Sequence, residues 1–342
     1  MQLERIPQFW REQGLAAHLP ESWKLPLARL AFVTLAVIGV TAREWGEMLH
    51  QWWNIDTYNH ILFVPLIVGW LVALRRPVLS KIVPTMWAPG LVLVIGGLSL
   101  WLVGRTTGIN LLAHAGAVAA LPAIAVTLLG ARVGTALLLP LAMTGFLVPF
   151  GDEIIPPLQM ITADIAIALT HWSGIPATID GIHIDTPVGL FIVAEACSGV
   201  KFLVAMVTLG VLVCFTAFES WKRRAIFMLA CIVVPILANG IRAWGTIYIA
   251  QSQGVEFAAG FDHIFYGWIF FAIVVAMVLG GAWRYFEREP EDAGLSLSEI
   301  ESNVMIERLS AQQLNPAAVL AGLAAILASF LIAAIYASSR LL

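Results

Sequence analysis

Charged residues are scarce in this chain: Asp, Glu, Lys and Arg make up 12% of its 342 residues, whereas 60% are hydrophobic. A soluble domain is about a quarter charged and close to half apolar. The mean hydropathy of +0.87 excludes an ordinary soluble domain. The net charge of −3 and a pI near 6.2 argue against a nucleic acid as partner. The composition therefore predicts an all-α polytopic integral membrane protein.

Cysteine is also rare, with only Cys197, Cys214 and Cys231. The last two lie inside apolar runs, so the chain offers no disulfide framework and no C-x-x-C metal site. It lacks the H-E-x-x-H pattern of zinc metalloproteases and the G-x-S-x-G elbow of serine hydrolases. We therefore expect neither a metal site nor a cofactor.

Long apolar runs, by contrast, are abundant. A run of roughly 16–25 residues can span about 30 Å of hydrocarbon. We expect about nine transmembrane helices, at about 26–42, 60–74, 86–104, 110–130, 134–150, 197–218, 225–250, 263–284 and 317–338. The predicted segments are a cytoplasmic N-terminal segment, a transmembrane core, a cytoplasmic hydrophilic connector and an additional C-terminal transmembrane helix, at 1–25, 26–286, 287–316 and 317–342.

Basic residues predict the orientation, because cytoplasmic loops carry an excess of Lys and Arg. With the N-terminus inside, 14 of the 19 basic residues fall in cytoplasmic segments. The other five are Arg43, Arg105, Lys201, Arg242 and Arg340. We therefore predict an inside N-terminus and an outside C-terminus.

The stretch 151–195 must begin and end outside for this parity to hold. Residues 154–172 are apolar, but prolines and polar residues interrupt them, so we interpret them as an interfacial or re-entrant helix. Residues 178–193 alternate in polarity and contain two turn signals. This pattern predicts a small extracytoplasmic β-hairpin.

Three side chains of chemical interest converge on the outer face in this topology. Cys197 lies at the outer start of the sixth run, Arg242 about 17 residues into the seventh, and His263 at the start of the eighth. Ionisable residues at membrane depth are costly and hence functional candidates. Asn239, three residues before Arg242, shares its helical face and could orient the guanidinium. The alternative roles are packing for the thiol, capping for the histidine and snorkelling for the arginine.

The three residue types form a coherent set for peptide-bond chemistry. A thiolate attacks a carbonyl, a histidine delivers a proton to the leaving amine, and an arginine stabilises the oxyanion. Cys197 also lies near a helix N-terminus, where the helix dipole favours a negatively charged group. Ser198 is an alternative nucleophile, although a serine needs a dedicated base.

Four stretches carry a family resemblance: WWNIDTYNHILFVPL at 52–66, AEACSG at 194–199, PILANGIRAW at 235–244 and FDHIFYGWIFF at 261–271. Together they resemble the exosortase/archaeosortase family, closest to the exosortase A type. The resemblance implies a membrane-embedded cysteine protease-transpeptidase linked to surface or exopolysaccharide export. Its substrates would carry a C-terminal sorting signal: a Pro-Glu-Pro motif, a transmembrane helix and a basic tail.

By the same resemblance, Cys197 is the nucleophile, Arg242 the oxyanion or carbonyl partner, and His263 the acid/base. Supporting or substrate-binding positions are Glu195, Ser198, Asn239, Asp262, Tyr266, His60 and Tyr58. The implied partners are membrane-anchored substrate proteins, membrane lipid and an acceptor nucleophile. The implied location is the bacterial cytoplasmic (inner) membrane, with the active site facing the periplasm.

Two other classes of protein stay open on the sequence. A transporter or flippase would have polar residues near the midplane and broken helices, and the run around Pro235 and Asn239-Gly240 could be such a break. A glycosyl- or acyltransferase acting on lipid-linked polysaccharide could use the outward-facing acidic and histidine side chains, which are Asp56, His60, Asp152 and Glu153.

Overall fold

The computed structural model describes residues 20–255 and 267–340. Helices dominate these residues, and in chain order they are α1 (Glu21–Val40), α2 (Ala42–Asn54), α3 (Val64–Leu74), α4 (Arg76–Leu79), α5 (Gly90–Thr107), α6 (Asn110–Leu129), α7 (Ala131–Ala136), α8 (Leu138–Met143), α9 (Ile155–Trp172), α10 (Val200–Ala217), α11 (Trp221–Gln253), α12 (Gly267–Trp283), α13 (Leu297–Ser302), α14 (Val304–Ser310) and α15 (Pro316–Arg340). The strands are β1 (Thr178–Asp180), β2 (His183–Thr186) and β3 (Gly189–Ile192).

Seven helices in the described part of the chain are long and apolar enough to cross a membrane: α1, α5, α6, α9, α10, α11 and α15. An eighth span is possible if α2 and the helical stretch Asn59–Leu74, bent by 107° at the break between them, form one crossing. The region Leu138–Leu147 and the helix Ile269–Trp283 are shorter apolar elements. The protein is therefore a polytopic helical membrane protein, as predicted from the composition.

The expected span at 134–150 is not a single helix. It divides between α7 and α8 at Leu137, because Pro140 has no N–H to donate to the Ala136 carbonyl and its ring crowds that carbonyl. The freed carbonyl accepts a bond from Arg75 Nε instead, at 3.1 Å. The adjacent stretch 154–172, in contrast, forms a regular helix, since its two prolines fall in the first turn, where no backbone donor is needed.

The chain divides into two compact units. The first comprises Met1–Trp45, Val68–Gly145 and Leu295–Leu342, and the second comprises Gly46–Ile67 and Phe146–Gly294.

The first unit is built around the close pair α5 and α6. A Cβ on Gly116 would lie only 2.1 Å from the backbone nitrogen of Trp101, so only glycine permits this approach. Trp101 is fully buried in a core that α1 and α15 complete. The Arg105 guanidinium lies 3.1 Å from the Glu44 carboxylate, whose side chain is 2% exposed. This buried ion pair lies in the same unit as the apolar core.

Part of the predicted connector 287–316 is folded into the first unit. Ser296 and Glu299 form a reciprocal capping box at the start of α13. The Ser296 hydroxyl and then its backbone N–H hold the pKa of Glu299 below its ordinary value. The Arg75 side chain donates to the Leu295 carbonyl, which ties the connector to the segment after α3.

The second unit has an apolar core between α10, α11 and α12. Phe218, Phe227 and Cys231 are buried in it together with Cys214 and Val274. Cys214 is 3% exposed and Cys231 is 0% exposed, so their environment is that of packing residues.

Helix α11 is continuous over 33 residues, through Pro235 and the Asn239-Gly240 pair that could have marked a break. Helix α9 packs alongside only the second half of α11. Leu158 of α9 packs in the cluster that includes Ile236, and the Trp244 indole donates to Ser173 Oγ at 2.9 Å. α9 therefore begins beside the middle of α11 and runs alongside it towards its C-terminal end.

The predicted β-hairpin is instead a three-stranded antiparallel sheet in the order β1-β2-β3. The Asp180-Gly181 signal turns β1 into β2, and the Pro187-Val188 signal turns β2 into β3. The prediction placed both turns but counted one strand too few, because β1 is only three residues long. Ile184 of β2 is buried against α9 and α11, which fixes the sheet next to the C-terminal half of α11.

Candidate active site

Cys197 ends a single 3-10 turn, Glu195–Cys197, three residues before α10 begins. Its N–H donates to the Ala194 carbonyl at 2.8 Å, and its thiol is free and half-buried. The chain then turns through Gly199, whose φ of +83° is a left-handed conformation that favours glycine. This sharp turn holds the thiol just outside the N-terminus of the helix.

Asn239 of α11 fixes the loop that carries the thiol. Its side-chain nitrogen donates to the Cys197 carbonyl at 2.8 Å and to Thr162 Oγ1 at 3.0 Å. Thr162 in turn donates to the Ser198 carbonyl at 3.4 Å. Asn239, Thr162 and Ser198 are all buried, so these bonds are shielded from water.

Gly199 is required by the same arrangement. A Cβ at this position would lie 2.7 Å from Cγ of Asn239, closer than real Cβ contacts. The glycine therefore serves twice: it permits the positive φ and it lets the Asn239 amide approach the backbone.

Arg242 lies one helical turn after Asn239 on the same face of α11. One guanidinium nitrogen is 3.5 Å from Asn239 Oδ1, and the side chain is half-buried. The two amide hydrogens of Asn239 are directed to Cys197 and Thr162, which leaves its oxygen for Arg242. One side chain thus links the loop that carries Cys197 with the Arg242 guanidinium.

Cys197, Asn239 and Arg242 line one open pocket of about 460 Å³, a volume that includes its solvent-open part. Its remaining walls come from α9, β2, β3 and α11, through Ala166, Ile184, Phe191, Ile192, Val193, Ala243, Thr246 and Ile247. The walls are mostly apolar with a few convergent polar groups, which is the usual character of a ligand site.

Helix α9 supplies two positioning side chains that the sequence analysis did not identify. Gln159 donates to the Val193 carbonyl at 2.7 Å, and Thr162 makes the bonds described above. In the sequence they stood out only as polar interruptions of an apolar run. Their spacing of three residues, which places both on one helix face, was the one available signal.

Tyr58 and His60 lie in the same unit but do not line this pocket. The Tyr58 hydroxyl donates to Asp152 Oδ1 at 2.5 Å. The neighbouring Gly151 packs against Val200 in the first turn of α10. Tyr58 is thereby attached to the loop beside the start of α10.

His60 contacts the backbone with one ring nitrogen. Its Nδ1 is 3.0 Å from the Thr57 carbonyl, so in the neutral ring the proton is assigned to Nδ1 and Nε2 is left as an acceptor.

The remaining predicted site residues differ in placement. The Glu195 side chain is exposed, whereas Ser198 is 2% exposed and its hydroxyl accepts from the Val200 N–H at 3.3 Å. Ser198 is therefore buried and bonded within its own turn, which does not fit an accessible nucleophile. His263, Asp262 and Tyr266 lie outside the described residues. Within 20–255 and 267–340, no group of three His, Cys, Asp or Glu residues could hold a metal ion.

The chain matches the family model of the transmembrane exosortases over residues 52–280. A comparison with curated proteins found no match, and neither did a comparison with solved structures. Because the match covers more than half of the chain, the protein belongs to the transmembrane exosortase family. It is thus a multi-pass membrane protein of a family of sorting transpeptidases, whose substrates are proteins with sorting signals.

Proposed function

We propose that this exosortase-family protein is a thiol protease-transpeptidase with Cys197 as its nucleophile. The observation that carries the proposal is the shared pocket: the Cys197 thiol and the Arg242 guanidinium line it together, joined through Asn239. A nucleophile and a fixed cation around one cavity form the minimum arrangement for attack on a carbonyl.

The proposed reaction has two steps. The Cys197 thiolate attacks the scissile carbonyl and forms a C–S bond, while Arg242 stabilises the negative oxygen. The C–N bond then breaks, and the leaving amine takes a proton from His263. An acceptor nucleophile, or water, next attacks the thioester and gives its proton to His263, and the C–S bond breaks to release the thiolate. His263 remains the proposed acid/base by resemblance.

The proposed substrate is a membrane-anchored protein with a C-terminal Pro-Glu-Pro type signal. Cleavage would take place at the outer face of a bacterial inner membrane, as part of surface or exopolysaccharide export. The position of Cys197 supports this, since its loop precedes a membrane-spanning helix that the basic residues orient with its start outside. Membrane lipid and an acceptor nucleophile are the other proposed partners.

The alternatives are less well supported. A transporter with a discontinuous helix at Pro235 does not fit the unbroken α11. A transferase acting on lipid-linked polysaccharide would use Asp56, His60, Asp152 and Glu153, none of which lines the pocket that contains Cys197 and Arg242. The transporter predicts that the Cys197 thiol is dispensable.

The test uses the three cysteines as matched variants. We expect Cys197→Ala and Cys197→Ser to abolish removal of the tail from a co-expressed Pro-Glu-Pro-tailed protein. We expect Cys214→Ala and Cys231→Ala, which lie in the apolar core and do not line the pocket, to retain it. Mass spectrometry of the mature C-terminus is the measurement. A Cys197→Ala protein that still removes the tail at normal expression would contradict a thiol mechanism.

A further inference from the structure

The strand β3 ends five residues before Cys197 and forms one edge of the sheet. The Val193 N–H donates to the Ile182 carbonyl at 3.0 Å, and in this register Val193 and Ile182 are directly opposed. Hydrogen-bonded and non-bonded pairs alternate along an antiparallel ladder. The backbone groups of Leu190 and Ile192 must therefore point away from β2.

Within the part of the chain that the structure describes, this outward edge has hydrogen-bonding groups without a partner. The Ile192 carbonyl accepts from the Ala194 N–H at 2.9 Å. Across residues 20–255 and 267–340, nothing pairs with the Leu190 N–H, the Leu190 carbonyl or the Ile192 N–H. The side chains of Leu190 and Ile192 are 56% and 53% exposed. An edge of this kind is a template for another extended chain.

The same edge leads into the pocket that holds the thiol. Phe191, Ile192 and Val193 line this pocket together with Arg242 and Cys197. We propose that the substrate polypeptide pairs as an added strand with the outer edge of β3, at Leu190 and Ile192, and that this pairing guides its scissile carbonyl to Cys197. The inference rests on the proposed function and specifies how that site recognises its substrate.

The spacing of the unpaired backbone groups indicates that the molecule bound at the edge of β3 is a polypeptide. Leu190 and Ile192 are two residues apart in a strand, so their free donors repeat at about 6.6 Å. An extended peptide repeats its outward donor and acceptor at the same interval. Strand addition uses these main-chain bonds for affinity and leaves the pockets to select side chains.

The proposed Pro-Glu-Pro motif is compatible with such one-sided pairing. Proline has no N–H and fits a strand only where that group would face away from the ladder. Two prolines that are two residues apart face the same side. The Glu between them would then present its N–H and carbonyl to β3.

The first experiment removes one edge donor without touching the β2–β3 ladder. Leu190→Pro does this, and Ile179→Pro is the matched control, because the Ile179 N–H faces outward on the opposite edge, in β1. With the full-length enzyme in liposomes and a Pro-Glu-Pro-tailed protein as substrate, we expect Leu190→Pro to raise KM by about three- to tenfold. kcat should change little, and Ile179→Pro should resemble wild type.

The second experiment leaves the enzyme intact and modifies a peptide substrate. Single N-methyl groups are placed in turn on each residue other than proline along a synthetic peptide that includes the motif. Pairing on one edge predicts a period of two: a methyl group raises KM at every second residue and has little effect between. Equal effects at all positions would overturn the proposal, even if Leu190→Pro failed to fold.

The outcomes separate the two levels of inference. Cleavage by Cys197→Ala would contradict the proposed function itself. A wild-type KM for Leu190→Pro, in an enzyme that Cys197→Ala inactivates, would contradict only the pairing with β3. If Leu190→Pro instead lowered the Tm of the substrate-free protein more than Ile179→Pro did, with KM unchanged, the edge would serve a pairing within the chain and the proposal would be wrong.

Discussion

At the scale of single residues, Gly199 is the position where backbone and site constrain each other most. It has a φ of +83° and contacts Asn239, whereas Gly174 has a φ of +76° and open space around it. We expect Gly174→Ala to cost roughly 1–2 kcal/mol of stability from the left-handed conformation alone.

Gly199→Ala should do more, because its Cβ displaces Asn239 and with it the Cys197 carbonyl. A misplacement of about 1 Å can reduce turnover on the order of a hundredfold. Tail removal and Tm, measured for both alanine variants, test this. Equal activity in the two would mean that the contact with Asn239 does not position the thiol.

Residue type alone makes Cys197 and Arg242 candidate site residues, and the structure places both in one pocket, whereas their catalytic roles stay a prediction. The spacing of three residues suggests that Asn239 orients the guanidinium, and the two groups are 3.5 Å apart. The sequence could not show that the same amide holds the Cys197 carbonyl, because a bond between residues 42 positions apart leaves no periodic signal. Thr162 and Gln159 were missed for the same reason.

At the scale of elements, α9 is the helix whose role depends most on hydrogen bonds to other elements. The Thr162 hydroxyl bonds to Asn239 of α11 and to the Ser198 carbonyl, whereas the hydroxyl of Thr170, also buried in α9, donates to the Ala166 carbonyl of its own helix. We expect Thr162→Val to leave buried polar groups of Asn239 and Ser198 unpaired, at a cost of about 1–3 kcal/mol.

Thr170→Val should be close to neutral, because the Ala166 carbonyl keeps its backbone bond within the helix. The measurements are Tm in detergent and the alkylation rate of Cys197. A Thr162→Val protein that matches Thr170→Val in both would remove α9 from the positioning of the nucleophile.

The elements that sequence analysis misjudged share a physical cause. Prolines at 156 and 157 were interpreted as interruptions, but in the first turn of a helix they are favourable. Pro140, inside an apolar run, was given too little weight, although it divides α7 from α8. The effect of a proline depends on its distance from the helix start, and this start is the least certain boundary in a sequence.

At the scale of the whole molecule, the crossing between α6 and α10 is ambiguous. Either the broken stretch 131–147 or the regular helix α9 could cross between α6 and α10, and the orientation of every later helix is the same in both cases. The packing of α9 against α11 indicates that α9 enters only part of the membrane thickness. Leu158 packs near Ile236, which is fifteen residues, or about 23 Å, along α11 from Trp221.

If Trp221 and the basic residues after it lie at the inner surface, α9 begins in the outer part of a hydrocarbon core of about 30 Å and continues outward.

Single cysteines in a Cys-free background test this position of α9. Positions 222 and 288 should react only with reagent on the inside and position 180 only from outside, while Glu153→Cys should not react from the inside. Inside labelling of Glu153→Cys would mean that α9 crosses completely. Outside-only labelling at 222 or 288 would reverse the orientation and place the Cys197 pocket on the cytoplasmic face, where a sorting signal of an exported protein could not reach it.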